Sequence, residues 1–205
     1  MNRINLYIKR VFDVTASLVL LVILSPVFLF LLILIWLTLG KPVIFAQKRL
    51  GYNGKEFNLF KFRTMTTEQD EQGNLLPDGE RMTKLGRFLR KTSLDEIPEF
   101  FNVILGDMSA IGPRPLLVEY RDLYTSEQWR RHDMRPGMAG PVIADGRNLL
   151  TWEEKFTLDI WYVDNWSLLL DMRILFKTII SVLNARGINQ PGQATVDYFK
   201  GTKED

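Results

Sequence analysis

From Val14 to Leu39 the chain carries no charged side chain, VTASLVLLVILSPVFLFLLILIWLTL. Such a run exceeds the roughly 20 apolar residues an α-helix needs to cross a hydrocarbon core, so part of the fold must sit in lipid. Ser25-Pro26 falls at its centre. Proline removes a backbone donor and disfavours helix at the residue before it, so a kink or break is expected there, leaving two halves each too short to span. Both flanks are basic, with Arg3, Lys9 and Arg10 before the run and Lys41, Lys48 and Arg49 after it. The positive-inside rule then favours both ends on the cytoplasmic side, the pattern of a re-entrant helical hairpin dipping into one leaflet. A kinked single-span anchor is the alternative, since prolines occur in spanning helices. A cleaved signal peptide does not fit, because the run is too long for an h-region and ends without an A-x-A-like site. The chain therefore divides into residues 1–40, a re-entrant membrane helix, and residues 41–205, a cytoplasmic domain with membrane-interfacial helices.

The second part is long enough for one real core. A formal charge of +2 argues against a nucleic-acid binder, and the basic residues are clustered rather than numerous. With no cysteine and a single histidine, His132, thiolate and zinc sites are excluded, which leaves a hard metal bound by oxygen.

Beyond Lys41 the sequence period changes. Pro42 to Gln47 and Glu56 to Met65 are strand-like and are joined through Gly51-Tyr52-Asn53-Gly54, which supplies hairpin turn chemistry. In the second strand Lys61 and Arg63 share a face, a pairing that suits a diphosphate but equally a charge-protected strand edge. Residues 66–80 read as a polar surface loop, and Arg81 to Thr92 as an amphipathic helix with Met82, Leu85, Phe88 and Leu89 on one side. Val118 to Arg131, Thr151 to Trp166 and Ser167 to Leu183 are helical, and the last of these is interrupted by Asp171, Arg173 and Lys177, which argues against a second span. The glycine-rich stretch from Gly137 to Gly146 is an irregular loop, and the tail after Gly187 is extended, docking through Tyr198 and Phe199. The expected class is α+β, mostly helical, with an N-terminal re-entrant membrane helix hairpin, a small β-hairpin and amphipathic interfacial helices.

The chemistry concentrates between Arg87 and Leu117, RFLRKTSLDEIPEFFNVILGDMSAIGPRPLL. Ile97 to Leu105 reads as a helix stopped by Gly106, which puts Asp95 and Glu96 at its N-terminus, with Asp95 at or beside the cap. There the helix dipole favours both carboxylates ionised. An Asp-Glu pair at a helix start is ordinarily a cap. Here, however, Arg87, Arg90 and Lys91 precede it, and Arg114 is held between Pro113 and Pro115. Guanidinium of limited freedom beside carboxylates suggests phosphate chemistry: arginine grips phosphate bidentately, and a carboxylate pair can hold Mg²⁺ or supply a nucleophile to phosphorus. A structural ion pair is the alternative for Arg114.

Lys9-Arg10-Val11-Phe12-Asp13, the Ser25-Pro26 break, Lys61-Phe62-Arg63-Thr64-Met65, Ser93-Leu94-Asp95-Glu96-Ile97-Pro98, Gly106-Asp107-Met108-Ser109, Gly112-Pro113-Arg114-Pro115 and Gly146-Arg147-Asn148 together resemble the monotopic phosphoglycosyl transferases, a family of bacterial sugar transferases. The likeness covers nearly the whole chain and is greatest to the small single-domain members that initiate bacterial N-linked glycan assembly, whose tail Gly192-Gln193-Ala194-Thr195, Phe199 and Gly201 also matches. The resemblance implies transfer of a sugar 1-phosphate from a UDP-sugar to undecaprenyl phosphate, with Mg²⁺, by a catalytic domain at the cytoplasmic face of the bacterial inner membrane. It implies Asp95 as nucleophile and Mg²⁺ neighbour, Glu96 as assistant to the lipid phosphate, Lys61, Arg63, Arg90 and Arg114 as phosphate ligands, and Arg147 and Asn148 closing over the nucleotide. The chain departs from the family pattern at Gly140 to Asn148, where Pro141, Val142, Ile143, Ala144 and Asp145 replace the expected Trp-Ala-Gln-Val-Asn. A non-catalytic membrane scaffold and a Mg²⁺-dependent phosphohydrolase are the competing readings.

Overall fold

A single helix, α1 (Arg3–Leu39), carries the whole apolar run. Its 37 residues extend for about 55 Å at about 1.5 Å per residue. In place of two helices separated at Ser25-Pro26, α1 continues through the pair with Pro26 inside it. The local chemistry accounts for the difference. A proline at position 26 leaves the Val22 carbonyl without its helical donor, and the Ser25 hydroxyl donates to that same carbonyl at 2.8 Å. The computed structural model describes residues 3–146, 149–183 and 198–202. Among them α1 is the one helix long and apolar enough to cross a membrane.

Polar residues hold the first third of α1 to the rest of the molecule. Lys9 donates to Asp171 at 2.6 Å, Arg10 to the carbonyls of Val103 at 2.7 Å and Ile104 at 3.0 Å, and Asp13 accepts from Ser109 Oγ at 2.6 Å and Ala110 N at 3.2 Å. The last third packs through Leu31 and Ile35, buried against Phe62, Leu89 and Ile97. Buried positions on α1 fall four apart, Lys9, Asp13, Ser17, then Leu31 and Ile35, so one stripe faces the body and most of the opposite side is exposed.

Strands β1 (Ile44–Leu50) and β2 (Glu56–Phe62) form an antiparallel hairpin, pairing Ile44 with Phe62 and Leu50 with Glu56. The second strand ends at Phe62 rather than Met65; Arg63 N still donates to the Val43 carbonyl at 2.9 Å, but Met65 bridges to Met82 instead of continuing the hairpin. The stretch expected as a loop contains a short helix, α2 (Asp78–Arg81), and a bridge between Gln69 and Leu75. Helix α3 (Lys84–Thr92) starts later than its apolar pattern suggested, because Thr83 caps it by accepting from Gly86 N at 2.9 Å. A Cβ on Gly86 would lie 1.9 Å from the Thr64 carbonyl oxygen, so the close packing of α3 on the end of β2 requires glycine there. Phe88 faces outward instead of joining Leu85 and Leu89.

After a 3₁₀ turn at Leu94–Glu96 comes α4 (Glu99–Leu105), closed by Gly106 at φ 97 as its sequence predicts. Strand β3 (Ser109–Ile111) runs parallel to β4 (Gly137–Ala139). The single helix expected at 118–131 is instead a 3₁₀ segment Val118–Leu123, a short α5 (Ser126–Trp129) and a second 3₁₀ segment Arg130–Asp133. Part of the glycine-rich stretch becomes α6 (Pro141–Asp145), followed by α7 (Trp152–Asn165) and α8 (Leu168–Leu183). Phe199 is buried against Tyr120 and Phe156, whereas Tyr198 is exposed. The molecule is thus mostly helical, with a small two-stranded hairpin and one long apolar helix.

Candidate active site

The 3₁₀ turn Leu94–Glu96 and the N-terminus of α4 put Asp95, Glu96 and Glu99 close together. Asp95 therefore precedes α4 in a separate turn, and Pro98 occupies the cap position that Asp95 was expected to fill. Asn102 locks this turn to the hairpin: its Oδ1 accepts from Phe60 N at 3.0 Å and its Nδ2 donates to the Asn58 carbonyl at 2.7 Å. That attachment brings Lys61 over the acids. Its Nζ donates to Glu96 Oε1 at 2.6 Å and lies 3.0 Å from Glu99 Oε1. Arg114 donates to the same Glu96 oxygen at 2.7 Å.

The three carboxyls stand in different electrostatic states. Burial acts to raise Glu96, but Lys61 and Arg114 outweigh it and hold the group well below the ordinary carboxylate range. Those two cations, rather than a helix dipole, keep Glu96 ionised. Burial pushes Glu99 up to about 7, with Lys61 offsetting only part of the effect. Burial likewise raises Asp95, against the opposing charges of Lys61, Arg90 and Arg114. Asp95 is 6% exposed, and among the described residues its carboxylate accepts no hydrogen bond. It is a carboxylate held in a cationic surrounding with its oxygens unused.

Arg90 joins this group from α3, donating Nε to Thr64 Oγ1 at 3.1 Å, with burial lowering its basicity and Asp95 opposing that effect. Arg63 does not join it. Its guanidinium turns to the end of α1, donating to the carbonyls of Lys41 at 3.2 Å, Gly40 at 2.8 Å and Leu39. The carbonyls at a helix C-terminus lack internal partners, and a buried arginine satisfies them. Lys61 and Arg63 thus divide the labour that alternation along the strand assigned to both. Arg147 and Asn148 lie outside the described residues. In the departing segment Val142 and Ile143 are buried and Asp145 accepts from Lys177 at 2.9 Å, so this part of the loop is tied to α8.

The sequence model of the family described as "Bacterial sugar transferase" matches residues 4–185. The chain belongs to the bacterial sugar transferases. It is 51% identical over 195 residues to the Bacillus subtilis protein named as an uncharacterized sugar transferase, EpsL, covering 95% of this chain and 96% of that one. It is 37% identical to the undecaprenyl-phosphate galactose phosphotransferase of Salmonella typhimurium, over 91% of this chain and 42% of that protein. It is also 37% identical to the UDP-glucose:undecaprenyl-phosphate glucose-1-phosphate transferase of Klebsiella pneumoniae, over 87% of this chain and 41% of that protein. The chain therefore spans nearly all of one relative and about two fifths of the other two. As a member of this family it is a transferase, and the scaffold reading falls away.

Whether the site fits a magnesium ion can be judged from its donors. Glu96 is engaged by two cations through Oε1, and Asp95 is the carboxylate of this turn that accepts no hydrogen bond among the described residues. Among the described residues no group of three or more His, Cys, Asp or Glu could hold a metal. A site with one protein carboxylate fits Mg²⁺, which keeps most of its water and is commonly completed by substrate phosphate oxygens.

Three contributors carried no clear signal in the sequence. Glu99 and Asn102 sit inside an apolar run, Glu-Phe-Phe-Asn-Val-Ile-Leu, where a polar residue marks either a solvated face or a buried bond. Arg131 stands in the polar run Arg130-Arg131-His132-Asp133, which gives no sign that its side chain is buried.

Proposed function

We propose that the chain transfers a sugar 1-phosphate from a UDP-sugar to a polyprenyl phosphate such as undecaprenyl phosphate, in two displacements through Asp95. One observation carries the reading: Asp95 is a buried carboxylate that accepts no hydrogen bond among the described residues and feels the charges of Lys61, Arg90 and Arg114, whereas its neighbour Glu96 is paired with Lys61 and Arg114 through Oε1. The names of the Salmonella and Klebsiella relatives, each specifying undecaprenyl phosphate and a hexose, support the same substrates.

In the first displacement an Asp95 oxygen attacks the sugar-bearing β-phosphorus. The bond from that phosphorus to the bridging oxygen breaks, UMP leaves with the electron pair, and the sugar phosphate stays on Asp95 as an acyl phosphate. Arg114, with its proline neighbours limiting its backbone, and Arg90 meet the phosphate oxygens, where fixed donors stabilise the charge that develops. In the second displacement a polyprenyl phosphate oxygen attacks the same phosphorus and the Asp95 carboxylate departs. Glu96, held ionised by Lys61 and Arg114, is a weak base, and the incoming phosphate monoester is already largely ionised near neutral pH. Its part is to set the positions of Lys61 and Arg114. Magnesium bound at Asp95 would offset the negative charge of the diphosphate.

The contacts of α1 support a membrane arrangement. Both ends of α1 are fastened to one body, by Lys9, Arg10 and Asp13 at the start and by Leu31, Ile35 and Arg63 at the end. A crossing helix would carry one of these ends to the far side of a hydrocarbon layer about 30 Å thick. We read α1 as entering and leaving the same leaflet, with the catalytic groups on the cytoplasmic face.

Release of UMP from UDP-sugar tests the reaction. It should require polyprenyl phosphate for turnover and be abolished by Asp95→Asn. Release of free sugar phosphate at the same rate without lipid would instead establish a phosphohydrolase.

A further inference from the structure

The outward side of the Pro-Arg-Pro segment rests on an ion pair that the reaction does not use. Arg131, in the second 3₁₀ segment, donates Nε at 3.1 Å and Nη2 at 2.5 Å to Asp159 Oδ2 on α7. Both side chains are 2% exposed. The same Nη2 donates to the main-chain carbonyl of Arg114 at 2.7 Å. Arg131 also lies over the Phe156 ring, 5.8 Å from its centroid, and Phe156 packs on Phe199.

A buried ion pair is an inefficient source of stability, because well-packed apolar side chains of similar volume often serve as well or better. This pair has a directional output, the Arg114 carbonyl. Pro113 and Pro115 restrict the backbone on either side of Arg114, and a residue before proline is confined to extended ψ. The Pro113 ψ and Arg114 φ angles are what remain to be set, and Arg131 limits them by holding the Arg114 carbonyl oxygen. We propose that Arg131 and Asp159 are positioning residues for Arg114, fixing its backbone so that the guanidinium meets the substrate phosphate. The inference rests on the reading of Arg114 as a phosphate ligand.

The test is a double-mutant cycle on kcat/KM for UMP release by the full chain in detergent with UDP-sugar and undecaprenyl phosphate, with thermal unfolding measured alongside. Arg131→Lys keeps the charge but cannot bond Asp159 and the Arg114 carbonyl in the same fork. It should lower kcat/KM about 100-fold, the scale of loss from a small misplacement of a group, while the protein stays folded. In the Arg114→Lys background the further loss should be less than about threefold, because coupled residues are non-additive. Losses that multiply, or an Arg131→Lys enzyme of normal activity, overturn the positioning role. If Arg131→Lys does not fold, Asp159→Asn, which preserves shape, carries the same cycle with the same expectation. Should Arg114→Lys be fully active in the otherwise unaltered enzyme, it is the phosphate-ligand reading of Arg114 that fails.

Discussion

At the scale of single residues, the site separates charge from availability. Glu96 is ionised and paired with Lys61 and Arg114 through Oε1, Glu99 is buried with its pKa raised to about 7, and Asp95 accepts no hydrogen bond among the described residues. On the proposed reading Arg114 meets phosphate as a fork and not as charge alone. Arg114→Lys should remain folded and lose about 100-fold in kcat/KM, the scale of removing one donor from a charge-stabilising site; a fully active lysine enzyme would reduce Arg114 to charge alone or to structure. Glu99 gives a prediction about pH. Its pKa is raised from 4.5 to about 7, so the folded state binds a proton more tightly than the unfolded chain. Stability from this group is therefore complete below about 4.5 and is lost as pH rises to about 7. Glu99→Gln lacks that slope, and its melting temperature relative to the native protein should rise between pH 5 and pH 8. A constant difference across that range would mean that Glu99 is ionised throughout. The sequence pointed to Asp95, Glu96, Arg90 and Arg114 because charge clustered around a proline-bracketed arginine is legible in one dimension, and to Lys61 through strand alternation and the family resemblance. It misdirected Arg63, because strand alternation says which face a side chain takes and not whether a helix end waits there.

At the scale of elements, α1 sets what can be learned from composition. Its apolar length was plain, and so was the punctuation at Gly106. The course of the chain through Ser25-Pro26 was not, because it turned on one hydroxyl reaching the carbonyl that proline leaves bare. The irregular segments from Val118 to Asp133 read as one helix for a similar reason, since apolar periodicity does not register the Thr125 cap that restarts the chain there. The re-entrant reading of α1 makes a direct prediction. The chain has no cysteine, so Arg3→Cys and Gly73→Cys can each be introduced singly and exposed to an impermeant thiol reagent in sealed vesicles. Both should be labelled from the same side. Labelling from opposite sides would make α1 a spanning anchor.

At the scale of the whole molecule, the apolar helix α1 and the proposed site are linked through direct contacts. Arg10 holds the last carbonyls of α4, whose first turn bears Glu99, and Asp13 holds the start of the strand that leads to Arg114. Leu169, Phe176 and Ile180 of α8 lie exposed, as does Phe88 on α3, so apolar side chains beyond α1 are available to a membrane surface. A catalytic centre braced against a membrane helix suits an acceptor whose phosphate sits at the lipid boundary. The account stands or falls on Asp95 as the atom to which the sugar phosphate is first attached. Purified protein incubated with UDP-sugar and Mg²⁺, without any lipid phosphate, should release UMP and gain one sugar-phosphate mass on the peptide containing Asp95, and Asp95→Asn should gain none. Absence of that adduct by intact-mass analysis, in a preparation whose lipid-dependent turnover is normal, would contradict the two-step mechanism and require direct transfer between the two substrates.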